Sequence, residues 1–178
     1  MVSASRKIKI NRAPVLTLWA AVVAERLGFA HDEALTLGHA VAGLNAYSKG
    51  VSLGLFHPAP EAVREHRKKL QKGKTLTVAL LGRAVPVVHT PDGLRALTKG
   101  KSDDPASVTR YLEGKFGEAL PNVRAAMTHL ARSLPAKDLA TLAYAIYEKF
   151  RPKIPAGARG WGAKGDLDLA RLKDLERG

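Results

Sequence analysis

The chain has 178 residues, 46% of them apolar, which is enough to bury a core in one domain of ordinary size or two small ones. It contains no cysteine, so disulfides and thiolate metal sites are excluded and a reducing, cytoplasmic setting is expected. A formal net charge of +13 gives the chain a field that attracts polyanions, nucleic acid first among them.

Arg6, Lys7 and Lys9 precede an apolar run from Val15 to Val23 that superficially imitates a secretory signal. The run is broken by Thr17 and ends in Glu25-Arg26, and Val15, Leu18, Trp19, Val22 and Val23 recur with helical period on one face. An amphipathic helix over 13–27 is the better reading, bracketed by Pro14 near its start and Gly28 just past its end. Asp32 caps a second helix running to about Tyr47, with Leu35, Leu37, Val41 and Leu44 as its apolar set. Residues 48–58 read as a connection, and Pro60 opens a third helix to about Lys72, the most basic element of the chain.

From 75 to 89 the period changes to alternation, broken at Gly82-Arg83, which predicts one β-hairpin. Leu76, Val78, Leu80, Val85 and Val87 then share a face, with Leu80 opposite Val85. A four-residue turn from Leu81 to Ala84 places Pro86, which has no N–H, at a non-bonded site. Thr90-Pro91 reads as a cap and first-turn proline, predicting a short helix over 91–98. Three longer helices follow: 104–116 with Val108, Tyr111, Leu112 and Phe116; 119–133 with Leu120, Val123, Met127 and Leu130; and 135–150 with Leu139, Leu142, Ile146 and Phe150. Their short Pro or Gly breaks are those of an antiparallel bundle. A Pro/Gly/basic stretch over 151–165 precedes a last helix, 166–176.

The expected fold is therefore mainly α, a helical bundle with one β-hairpin. Its parts are a helical region with the hairpin (1–90), a bundle (91–150) and a basic Gly-rich loop with a terminal helix (151–178), or one compact domain containing all three.

The order helix, helix, basic helix, hairpin over the first half resembles a winged-helix unit. That resemblance implies that Arg64, Arg67, Lys68, Lys69, Gln71 and Lys72 face DNA, that Val63 and Leu70 face the core, and that Arg83 sits at the wing tip. The ten-residue link between the second and third helices departs from the tight turn of a helix-turn-helix. Ala24-Glu25-Arg26-Leu27-Gly28 with Phe29, Ala34 and Leu37 also has helix-turn-helix spacing. Its second helix opens His31-Asp32-Glu33, which repels phosphate, so a packed helical hairpin is the better reading there.

Charge placement is the strongest functional signal. Lys7, Lys9 and Arg12, with Arg6, stand in residues 1–12 without an acid, and residues 64–74 hold six basic residues against Glu65 alone. Arg151, Lys153, Arg159 and Lys164, with Lys149, stand in 149–165 without an acid. Three such segments look like phosphate contacts, although any one of them alone could merely solubilise the surface. The Ala156–Gly165 segment sets Trp161 between bases on a glycine frame, suited to stacking on a nucleobase or, equally, to anchoring a linker.

No catalytic or metal motif emerges. Gly73-Lys74-Thr75 lacks the glycine a phosphate loop requires, since Lys68 stands there. His31, His39, His57, His66, His89 and His129 show no metal-ligand spacing, and Asp103-Asp104 before Pro105 reads as a helix cap. The sequence thus predicts a non-enzymatic nucleic-acid-binding protein without cofactor, metal or membrane partner, with double-stranded DNA preferred. An RNA- or ribosome-associated factor and a protein–protein interaction module are the alternatives.

Overall fold

In a computed structural model, which describes residues 7–52, 76–98, 101–153 and 164–176, the chain builds two antiparallel sheets around and beside its helices. The elements are β1 (Lys7–Asn11), α1 (Arg12–Arg26), α2 (His31–Ser52), β2 (Leu76–Leu80), β3 (Arg83–Thr90), β4 (Gly93–Thr98) and β5 (Lys101–Ser102). There follow α3 (Pro105–Phe116), a 3-10 turn at Gly117–Ala119, α4 (Leu120–Arg132), α5 (Ala136–Phe150), β6 (Lys164–Asp168) and α6 (Leu169–Glu176). One sheet runs β2-β3-β4-β5 and the other pairs β1 with β6. The fold is α+β, which corrects the expectation of a mainly α protein with one hairpin.

The apolar run of α1 is buried on every side, from Pro14 through Ala24, and not along one stripe. Its small residues permit this: α2 closes on one flank while α3, α4 and α5 take the others. Trp19 is fully buried, donates its indole N–H to the Ala143 carbonyl at 2.9 Å, and meets the Phe150 ring edge-on at 5.2 Å. Gly38 of α2 rests directly on α1, where a Cβ would collide with the Thr17 carbonyl and lie 2.8 Å from the Ala21 nitrogen. The α1–α2 turn is the packed helical hairpin expected, with Gly28 at φ 111° past the end of α1.

The hairpin exists, but its register is shifted. Leu80 pairs with Arg83 and Val78 with Val85, across a two-residue turn of Leu81 and Gly82. Both turn residues have positive φ, 50° and 77°, the handedness that matches strand twist in tight hairpins. Pairing alternates outward from that turn, so Pro86 opposite Thr77 falls at a non-bonded site after all. Its missing N–H then faces β4, and the β3–β4 ladder starts one residue later, at Val87. Leu80, Leu81, Val85 and Val87 are buried, whereas Leu76, expected on the same packed face, is 53% exposed.

Residues 91–98 form a turn and a strand, not the expected short helix. Thr90-Pro91-Asp92-Gly93 has turn chemistry: the Thr90 hydroxyl donates to the Gly93 carbonyl at 2.7 Å and accepts from the Asp92 amide at 3.2 Å. Gly93, at φ 120°, then leads into β4 beside β3. A four-stranded meander thus replaces the wing. Leu80 and Leu81 at its first turn are buried, and Arg83, the first residue of β3, closes that turn opposite Leu80. The basic third helix expected over 60–72 lies outside the described residues.

Glu33 docks this sheet on α2. Its carboxylate accepts from the Ala30 amide at 3.0 Å and the Leu94 amide at 2.9 Å, closing the helix start and gripping β4 together. The Leu94 amide, then that of Ala30, hold the Glu33 carboxyl below its ordinary value of 4.5. A depressed carboxyl contributes stability that is present above its unfolded-state pKa and is lost as pH falls through the folded one. Urea midpoints measured from about pH 6 to about pH 3 should fall on the acid side for the natural chain and more shallowly for Glu33→Gln. The same acid dependence in both proteins would remove Glu33 from this role.

The remaining helices follow the expected pattern, with Asp104 capping α3 through the Ala106 amide at 3.1 Å. On α5 the buried position is Ala143, under Trp19, while Leu142 is 45% exposed. The last helix starts at Leu169, capped by Asp168 through the Ala170 amide at 3.0 Å. The residues before it form β6.

Candidate nucleic-acid interface

In β1, the alternation of Lys7, Ile8, Lys9 and Ile10 sends the isoleucines inward and the lysines to solvent, with Ile10 2% exposed. In β6, Gly165 and Leu167 are buried while Lys164 and Asp166 point out. Pairing sets Lys7 opposite Asp168, Lys9 opposite Asp166 and Asn11 opposite Lys164. Lys153 bridges to Asp166 from the other side of β6 and joins the same outward face. Gly165 permits this approach, because a Cβ there would run into the Lys153 carbonyl, 2.6 Å from its carbon.

The face therefore carries Lys7, Lys9, Lys153 and Lys164 against Asp166 and Asp168. The Lys9 ammonium lies 3.3 Å from Asp166, with both side chains more than half exposed, a pairing that solvent makes weak. At its border, Arg12 donates through Nε to the Pro152 carbonyl at 2.9 Å, and the Arg151 guanidinium stands 5.9 Å from the centre of the Tyr147 ring. Tyr147 is buried, which pushes its hydroxyl pKa up, and that hydroxyl donates to the Arg12 carbonyl at 3.5 Å. Arg171 of α6 adds another cation, donating to the Lys149 carbonyl at 3.0 Å.

Six expected contact residues, Lys7, Lys9, Arg12, Arg151, Lys153 and Lys164, are thus brought together from the two ends of the described chain. Arg83 belongs to the other sheet. Arg64, Arg67, Lys68, Lys69, Gln71, Lys72, Arg159 and Trp161 lie outside the described residues. Sequence reasoning missed Asp166 and Asp168, placed in a helix instead of opposite the lysines, and Tyr147, counted with the bundle. The alternation in Lys7–Ile10 and Gly165–Asp168 was the available signal.

A second cluster lies between α2 and α3. His39, Asp103, Asp104, Ser107, Val108 and Tyr111 line a cleft of about 110 Å³. His39 Nδ1 is 3.4 Å from Asp103 Oδ2, so the fold gives this histidine a carboxylate from 64 residues away, a pairing that spacing could not reveal. Ser107 gives its hydroxyl to Asp104 at 3.2 Å, which leaves it turned to the helix cap and not to His39. His31 similarly meets Glu25 at 3.3 Å, and Arg124 meets the same carboxylate at 3.4 Å. Among the described residues no three metal-ligating side chains converge, and no helix is long and apolar enough to cross a membrane.

The chain matches no protein-family model, and neither a curated protein nor a solved structure is found similar to it.

Proposed function

We propose that the protein binds nucleic acid through backbone phosphates, using the face shared by β1, β6 and residues 151–153. The convergence of four lysines from distant parts of the chain onto one exposed face, with Arg12 and Arg151 at its border, carries this reading. Lys7 and Lys9, two residues apart in a strand, are about 7 Å apart along it, comparable with neighbouring phosphates of a nucleic-acid strand. Lysines held on a rigid sheet neutralise phosphates and release counterions without reading bases, so affinity should depend steeply on salt and little on sequence.

Fluorescence anisotropy with duplex DNA, single-stranded DNA and structured RNA, from about 50 to about 200 mM salt, tests this. Lys9→Ala combined with Lys164→Ala should lower the slope of log affinity against log salt by about 2, roughly one per lost phosphate contact. Duplex DNA is the substrate expected to bind best. An unchanged slope, or no binding at low salt, would remove the function from this face.

A further inference from the structure

We infer that Arg12 and Arg151 form a clamp for one phosphate group at the border of the lysine face. Arg12 is oriented by its own Nε, bonded to the Pro152 carbonyl at 2.9 Å, which leaves its two terminal nitrogens as donors. Arg151 directly precedes that proline, and its charge lies near enough to Arg12 to act on it. Tyr147 holds both from beneath, its hydroxyl on the Arg12 carbonyl at 3.5 Å and its ring 5.9 Å from the Arg151 guanidinium carbon. The tyrosine is 2% exposed and sits edge-on to Phe150, so the support is part of the core and not a surface accident.

The pair lacks a counter-charge. Neither guanidinium makes an ion pair among the described residues, although Lys9 and Arg124 both find carboxylates. Burial first, and then the charge of the neighbouring Arg151, push the Arg12 pKa down from its ordinary value. Arg12 also opens α1, whose first turn carries no acid and no side-chain cap, and this adds to the positive potential. Two like charges held near each other repel, and an anionic phosphate oxygen pair bound between them offsets that repulsion. Guanidinium groups suit it because each offers paired N–H donors to two phosphate oxygens, which an ammonium cannot do.

This inference deepens the nucleic-acid reading and rests on it for the carrier of the phosphate, whereas the clamp can fail separately. The probe is inorganic phosphate, titrated into the full chain at constant ionic strength set with chloride, following the arginine Nε–H resonances by NMR. Saturable shifts at Arg12 and Arg151 are expected, reversed by a short DNA duplex that competes for the site. Arg151→Gln, which leaves the Arg12–Pro152 bond in place, should weaken phosphate binding at least about tenfold, and Arg151→Lys should fall between, since charge returns without the fork. Thermal unfolding of both variants confirms that the fold persists. Linear, unsaturated shifts, or equal affinity in Arg151→Lys and the natural chain, would overturn the clamp. Saturable phosphate binding that the duplex fails to displace would keep the clamp and overturn its place in the nucleic-acid interface.

Discussion

Gly38→Val is expected to destabilise the protein by about 3 kcal/mol, lowering its melting temperature by roughly 10 °C, because α1 and α2 touch at that position. A side chain there meets backbone on α1, the Thr17 carbonyl and the Ala21 nitrogen, and not the yielding end of a flexible side chain. The helices would have to separate, and α1 is wrapped by α3, α4 and α5, so the displacement would spread through the core. Gly43 on the same helix supplies the control: a Cβ there meets nothing within 4 Å. Gly43→Ala should therefore be neutral or gain up to about 1 kcal/mol of helix propensity, while Gly38→Ala loses stability. Circular-dichroism melts of the three variants check the contrast, and equal melting temperatures for Gly38→Ala and Gly43→Ala would contradict the close α1–α2 contact.

Most helices were legible because their ends are written in local chemistry, whereas α2 runs on to Ser52, into the stretch from 48 that reads as a connection. Pro14, Gly28 and Asp104-Pro105 mark boundaries that the structure places within a residue or so of expectation. What failed was the choice between periods in short segments. Gly93–Thr98 follows a Thr-Pro that suits a helix start and a turn equally, and the decision comes from β3, which offers a ladder to pair with. Likewise Lys7–Asn11 and Lys164–Asp168 are each five residues long, and neither is stable as a strand without the other. Their pairing spans more than 150 residues, a tertiary fact that no local window contains.

The charge was legible as an amount and as three segments, but its neutralisation was not. Asp166 and Asp168 looked like the acidic start of a helix, which would have left the terminal lysines uncompensated; the register instead sets them across from Lys9 and Lys7. The same register concentrates the surplus, because Lys153 and Lys164 reach the same face and Arg12 and Arg151 meet at its edge. The His39–Asp103 pair was hidden for a related reason: it joins a helix to the start of another 64 residues later, so no spacing rule applies.

Gly165→Ala should be the substitution that uncouples the basic face from the rest of the fold. Gly165 has no positive φ to accommodate, so its requirement is proximity: the chain at Lys153 crosses β6 where a side chain would stand. Alanine there would push Lys153, with Pro152 and Arg151 behind it, away from β6. That removes Lys153 from the lysine face and strains the Arg12–Pro152 bond, while the α1 core retains its own contacts. The expected result is a loss of about 1 to 3 kcal/mol in stability and about a tenfold drop in nucleic-acid affinity, with a shallower salt slope. Lys153→Ala isolates one part of that effect, since it deletes the charge without moving the strand, and should cost less affinity than Gly165→Ala. If Gly165→Ala lowers stability but leaves affinity and slope unaltered, the face built by β1 and β6 is structural, and the binding surface must be sought on the basic segments away from it.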